Sequence, residues 1–255
     1  MSATTTTARP DLTWNGRHEY FLNGVKIDGV TSVLNALPKE LKQWAANCAA
    51  DYAVEHWDEL AETPISRRLD AIRYAHRDAV KRAQIRGTTV HRYGEALVAG
   101  KPVDADPEYL GPAQAYARFL DRWKIEPVAV ETAVLHPQHK YAGRADLWAT
   151  VGARDNARAL IDLKTGNVYE SVVLQLAAYR HAPLWKRTAD GPLSATPDVD
   201  LVFVAKIGAD DVEMMPVSAG PAEFRAFLYV QQTAHWLNAH GYKGPEPLIG
   251  EVERP

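Results

Sequence analysis

The chain carries a single cysteine, Cys48, in 255 residues. One thiol excludes an internal disulfide, a cysteine-rich zinc site and a four-cysteine iron–sulfur cluster built within one chain. Neither sign of charge dominates: 29 Lys and Arg stand against 32 Asp and Glu, a net charge of −3. A nucleic-acid partner would therefore have to be held by a local basic patch, not by a global field. No apolar run approaches the length of a membrane span. The Thr- and Ala-rich residues 1–10 lack the apolar core of a secretory signal and read as part of a disordered tail, residues 1–12. These absences point to a soluble, cytoplasmic protein. The chain also lacks a G-x-x-x-x-G-K-[ST] loop, a G-x-S-x-G elbow, a G-x-G-x-x-G fingerprint and any internal repeat, so it has no recognisable ATP-driven motor of its own.

What is present is 46% hydrophobic residues, enough for a sizeable core. Residues 20–27 read as a hairpin turning on Asn23-Gly24, the dipeptide of a type I′ turn. Thr31 or Ser32 caps a short helix ending before Pro38. Helical spacing runs over 39–62 and 66–85. Gly87 then breaks the pattern, and a new helix opens at Thr88 or Thr89 and runs to about Ala99. Residues 112–124 form one more helix. Beyond Pro127 come strands at 128–135, 142–150 and 158–164, a helix at 170–184, strands at 199–206 and 211–217, and a helix from Pro221 to His240. The order is helices, three strands, helix, two strands, helix: an α/β fold with a helical N-terminal half. The expected divisions are a tail (1–12), a hairpin and helical region (13–86), a core with its C-terminal helix (87–241) and a second tail (242–255).

The chemistry concentrates in Gly143-Arg144-Ala145-Asp146 and Ile161-Asp162-Leu163-Lys164-Thr165-Gly166. Asp162 and Lys164 lie two apart on a strand and so share a face. Asp162 interrupts an otherwise apolar run, where a carboxylate is costly unless paired. A hard cation, Mg²⁺ or Mn²⁺, held by Asp146 and Asp162 would meet that cost. Carboxylates, a metal and a lysine together suit phosphodiester hydrolysis. Arg144 and Arg92 flank this site as phosphate contacts.

These two motifs, followed by Gln175-Leu176-Ala177-Ala178-Tyr179 and preceded by Gly87-Thr88-Thr89-Val90-His91, resemble the PD-(D/E)XK nuclease superfamily. Within it they resemble the RecB-like exonuclease branch, found among phage and CRISPR-associated exonucleases. The match covers roughly residues 87–217. The resemblance implies a restriction-endonuclease-like αβββαβ core with a central mixed sheet flanked by helices. It implies a metal shell of His91, Asp146, Asp162 and the carbonyl of Leu163, catalytic roles for Asp146, Asp162 and Lys164, and a glutamate, Glu131, that holds a second metal or orients water. It further implies DNA contacts from Gln175 and Tyr179. DNA ends would be the substrate and a helicase, recombinase or single-strand-binding protein a partner, in a bacterial or phage-infected cell. The iron–sulfur subgroup is excluded by the lone cysteine.

Each residue also has a plainer reading. Asp146 could close a hairpin, Asp162 and Lys164 could be an edge-strand ion pair, and His91 could sit in the core. Glu131 could face solvent, and Tyr179 could pack with Val172 and Leu176. Arg73, Arg77 and Lys81, at i, i+4 and i+8, make a basic stripe that could track a phosphate backbone or be a solvated helix face. His136-Pro137-Gln138-His139 reads as a turn. The expectation is a metal-dependent DNA exonuclease acting in recombination, repair or phage DNA processing. An endonuclease on the same fold and an inactive DNA-end-binding module remain open.

Overall fold

The computed structural model describes residues 10–15, 19–38 and 41–240. Nearly all of the N-terminal tail, the start of the helix expected from residue 39, and the tail 242–255 lie outside the described residues. The chain begins with strands β1 (Leu12–Trp14), β2 (Tyr20–Leu22) and β3 (Val25–Gly29). β2 and β3 turn on Asn23 and Gly24 at φ 51° and 77°, the positive values a type I′ turn requires. β1 corrects the tail boundary: Leu12 is fully buried, so order begins before residue 13. The short helix α1 (Val30–Val33) is not capped by Thr31 or Ser32, since it starts directly from Gly29 without a side-chain cap.

The helical region holds α2 (Leu41–Glu55), α3 (Trp57–Glu62) and α4 (Ile65–Val98). The expected helix 39–62 is two helices, because His56 leaves helical geometry at φ −112°, ψ 26°. The expected break at Gly87 does not occur, and α4 runs unbroken for 34 residues. A glycine inside a helix costs only about 1 kcal/mol. Here α4 packs against α2 and buries Ala75, Val90 and Gly94, which outweighs that cost. The boundary drawn at residues 86 and 87 thus falls inside one helix.

After α5 (Leu110–Trp123) come the long strands β4 (Ile125–His136), β5 (Tyr141–Val151) and β6 (Ala157–Lys164). α6 (Ser171–His181) follows, then the short strands β7 (Leu184–Lys186) and β8 (Ser194–Ala195). β7 replaces the last turn of the helix expected over 170–184. The chain continues through β9 (Leu201–Ile207) and β10 (Val212–Pro216) to α7 (Pro221–His240). β4, β5 and β6 are an antiparallel meander, β9 joins β6 in parallel and β10 closes the edge antiparallel. The result is an α/β protein with a mixed sheet between two helical layers. α1, α6 and α7 pack on one face around Trp148, Leu160, Leu176 and Phe227. α4 and α5 cover the other around Val90, Tyr116, Phe119 and Ile161. β6 is buried on both faces, which explains its near-continuous apolar run.

One topological feature positions the site. β4 occupies one edge of β5 along its whole length. The other edge is shared: β3 pairs with Tyr141 and Ala142, and β6 pairs with Leu147 to Val151. Residues 143–146 lie in the fork between them. α7 is fastened beside this fork, where Gln231 Nε2 and His235 Nε2 both bond Asp28 Oδ2 at 2.7 and 2.6 Å.

Candidate active site

The register of the meander brings the acidic residues into line. Thr132 opposes Ala145 and Val130 opposes Leu147, so Glu131 stands across from Asp146. Leu147 opposes Ile161, so Asp146 stands across from Asp162. Glu131, Asp146 and Asp162 form one transverse row over three neighbouring strands, at the point where regular pairing stops. Glu131 interrupts its own strand with φ 49°. A left-handed glutamate inside a strand is strained by about 1–3 kcal/mol, and such residues cluster at functional sites.

The fork explains the GRAD segment. Asp146 Oδ2 accepts a hydrogen bond from the Leu163 N–H at 2.7 Å, a side chain doing what the strand ladder no longer does. Gly143 lies under the Tyr179 ring, and a Cβ there would come within 2.4 Å of Tyr179 Cε1. Only glycine lets α6 close over the fork at this distance.

Asp162 is almost wholly buried. Lys164 Nζ pairs with its Oδ2, and Gln175 Nε2 donates to Oδ1 at 3.0 Å. The Oδ2 atom has charge compensation but no hydrogen bond of acceptable geometry. Burial opposes a charged Lys164, yet Asp162 and Asp146 outweigh it and hold the ammonium above the ordinary lysine range. Burial, together with the Asp162 charge, pushes the Asp146 carboxyl up to about 7.

His91 reaches the site from α4. Its Nε2 donates to the Leu163 carbonyl at 3.0 Å, and Nδ1 faces Glu131 Oε1 at 3.9 Å. Burial lowers the affinity of this imidazole for a proton, but Glu131 and Asp146 reverse the balance and raise it to about 9. His91, Glu131 and Asp146 each offer a ligand atom within 4.8 Å of the others. These three could hold a metal ion, and two of them, His91 and Asp146, belong to the expected shell. Glu131 joins it, Asp162 is engaged by Lys164 and Gln175, and the Leu163 carbonyl is taken by His91. One imidazole with oxygen donors, beside a buried carboxylate atom that lacks a hydrogen bond, suits a hard divalent cation.

The other expected residues separate. Gln175 lines the groove over the site. Tyr179 is buried and does not line the groove, and its hydroxyl accepts from Gln175 Nε2 at 3.3 Å. Arg144 is bound to Glu131, with Nε 2.9 Å from Oε2 and donating to the Glu131 carbonyl at 3.2 Å. Arg92 stands over the Tyr93 ring and does not line the groove. In the proposed basic stripe, Arg73 pairs with Asp70 and Arg77 stacks on Tyr74. His136 ends β4, and the loop after it turns on Lys140 at φ 53°.

The structure adds residues that the sequence reading passed over. Glu95, one turn beyond His91 on α4, feels Glu131, Arg144 and His91, and burial with the Glu131 charge raises its pKa. The i, i+4 spacing from His91 was the available signal. A groove of about 830 Å³ opens over Asp146, Asp162 and Lys164 and extends along α4 past Gly87, Arg86 and Arg82 to Trp44, with Tyr169 on its rim. Among the described residues no helix is long and apolar enough to cross a membrane. No protein-family model and no curated protein matches this chain.

Proposed function

We propose that this chain is a divalent-metal-dependent deoxyribonuclease that hydrolyses phosphodiester bonds from DNA ends, on a restriction-endonuclease-like core of the RecB-like type. What supports the reading most is the row of Glu131, Asp146 and Asp162 meeting Lys164 and His91, all but Glu131 lining an open groove. The order α5, β4, β5, β6, α6, β9 is consistent with the αβββαβ core that the motifs imply.

Mg²⁺ or Mn²⁺ held by His91, Glu131 and Asp146, with Asp162 alongside, would supply positive charge to the scissile phosphate and an acidified water. The remaining work belongs to the side chains. Lys164, paired with Asp162 Oδ2, would set an ammonium beside the phosphate and stabilise charge in the transition state. Glu131 projects a carboxylate that orients the attacking water, held in place by Arg144. Gln175 fixes Asp162 Oδ1 and leaves Oδ2 toward Lys164. Tyr179 holds Gln175 from below.

The test is the pair Asp162→Asn and Lys164→Met. Hydrolysis of linear DNA in Mn²⁺ is lost in both, while Mn²⁺ still binds Lys164→Met by calorimetry. Wild-type hydrolysis by either folded variant overturns the assignment.

A further inference from the structure

We infer that the groove running from the site along α4 is the track for a single DNA strand, with Trp44 and Tyr169 as base-stacking platforms and Arg82 and Arg86 as phosphate contacts. This deepens the nuclease reading and rests on it for the choice of DNA.

The size of the groove sets the first limit. About 830 Å³ is the scale of a small-ligand site. It has room for a short stretch of single strand. One wall is the exposed helix surface of α4, and the other is the loop that follows Lys164 and carries Tyr169. Gly87 stands where helix and loop approach each other. A Cβ there would meet Thr165 Oγ1 at 3.7 Å, an ordinary van der Waals contact.

The charges fit the same occupant. Arg82 and Arg86 are four residues apart on α4, share a face and both line the groove. Both are exposed, and neither has an ion-pair partner among the described residues. The expected stripe of Arg73, Arg77 and Lys81 lies outside the lining, and two of its members are engaged elsewhere. Two exposed arginines free of ion pairs suit the phosphates of a strand that leads to Asp146 and Asp162, with Glu108 as the further carboxylate on the lining.

The aromatics supply what a duplex could not use. Tyr169 is 64% exposed at the N-terminal end of α6. An exposed tyrosine beside an active site has no packing role to account for it. Trp44, half-buried against His76, also lines the groove. Bases of a single strand are free to stack on such rings, whereas paired bases are not. Arginines interspersed with aromatics along a groove are the usual build of a sequence-tolerant single-strand track.

The experiment is fluorescence anisotropy with a labelled oligo(dT) 12-mer and a blunt duplex of equal length, both in EDTA so that no cleavage intervenes. The expected result is tighter binding of the oligo(dT) than of the duplex. Tyr169→Ala weakens oligo(dT) binding at least about 5-fold, and Tyr169→Phe restores it. Tyr169 is exposed, so this variant folds even where Trp44→Ala does not. Arg82→Gln and Arg86→Gln each reduce the salt slope by about 0.7, the loss of one single-strand phosphate contact. Equal or tighter binding of the duplex, or unchanged binding by Tyr169→Ala and the arginine double variant, overturns the track. Because binding is read without metal, the two readings fail separately. Selective oligo(dT) binding with no hydrolysis in Mn²⁺ sinks the nuclease alone. Hydrolysis of duplex ends that is indifferent to Tyr169→Ala sinks the track alone.

Discussion

Replacing Asp146 with asparagine should make the metal-free protein more stable while destroying its activity. Asp146 is buried, and its pKa rises from 3.8 to about 7 because burial and the neighbouring Asp162 charge oppose ionisation. Between about pH 4 and pH 7 the folded chain therefore holds this proton more tightly than the unfolded chain. Stability must fall as pH rises through that window, and the full cost is present above it. A rise of this size corresponds to about 4 kcal/mol as a ceiling, and relaxation around the site reduces it to about 2 kcal/mol. Asparagine keeps an oxygen for the Leu163 N–H and removes the charge. For a chain of this length, about 2 kcal/mol raises Tm by about 4–8 °C. The assay is thermal unfolding in EDTA from pH 5 to pH 8. The wild type should lose stability toward pH 7, and Asp146→Asn should be flatter and melt higher at pH 8. Adding Mn²⁺ should raise the wild-type Tm and leave the variant unmoved. A variant that melts below the wild type at pH 8 in EDTA would refute the reasoning.

Other perturbations follow from the same geometry. Gly143→Ala sets a Cβ 2.4 Å from a Tyr179 ring that is packed on all sides. Overpacking of this kind costs about 1–3 kcal/mol, and calorimetry should show the lower Tm. Mn²⁺ affinity should fall with falling pH, since His91 holds its proton up to about 9 and Asp146 up to about 7, and a ligating imidazole and carboxylate must give these up. Calorimetry in buffers of different ionisation enthalpy should show protons released per ion, more at pH 6 than at pH 8, and a pH-independent affinity would contradict the ligand set. Gln175→Leu should lower turnover through the lost hold on Asp162 while leaving Mn²⁺ affinity within a few-fold, as measured by single-turnover cleavage and by titration.

The strands were legible where their pattern was long: the meander from residue 125 to 164 and the parallel partner at Leu201–Ile207 all follow apolar runs. Local signals misled where packing overrode them. Gly87 is a helix breaker by propensity, but α2 and the core hold α4 across it. β1 is three residues long and carries no periodicity, and its place comes from pairing with β2. Within the site, Asp146, Asp162 and Lys164 could be read from their spacing, because a charged residue in a buried strand needs a partner. For Glu131 the residues alone left a site role and a solvent-facing one both open, since its place in the row depends on the register and on a left-handed backbone. Tyr179 shows the limit of a shared helix face: it does sit one turn from Gln175, but depth, which spacing cannot give, puts its ring against Gly143 and away from solvent. The same holds for Arg82 and Arg86, which differ from Arg73 and Arg77 only in which way α4 turns them.

Metal-dependent hydrolysis from DNA ends is read by incubating the wild-type protein with end-labelled linear DNA and a covalently closed circle side by side, in Mn²⁺ and then in EDTA, with Asp162→Asn as the control. The account predicts metal-dependent loss of the linear DNA, an intact circle and no loss with the variant. Cutting of the circle would contradict end-directed hydrolysis, and survival of both DNAs in Mn²⁺ would contradict the nuclease itself.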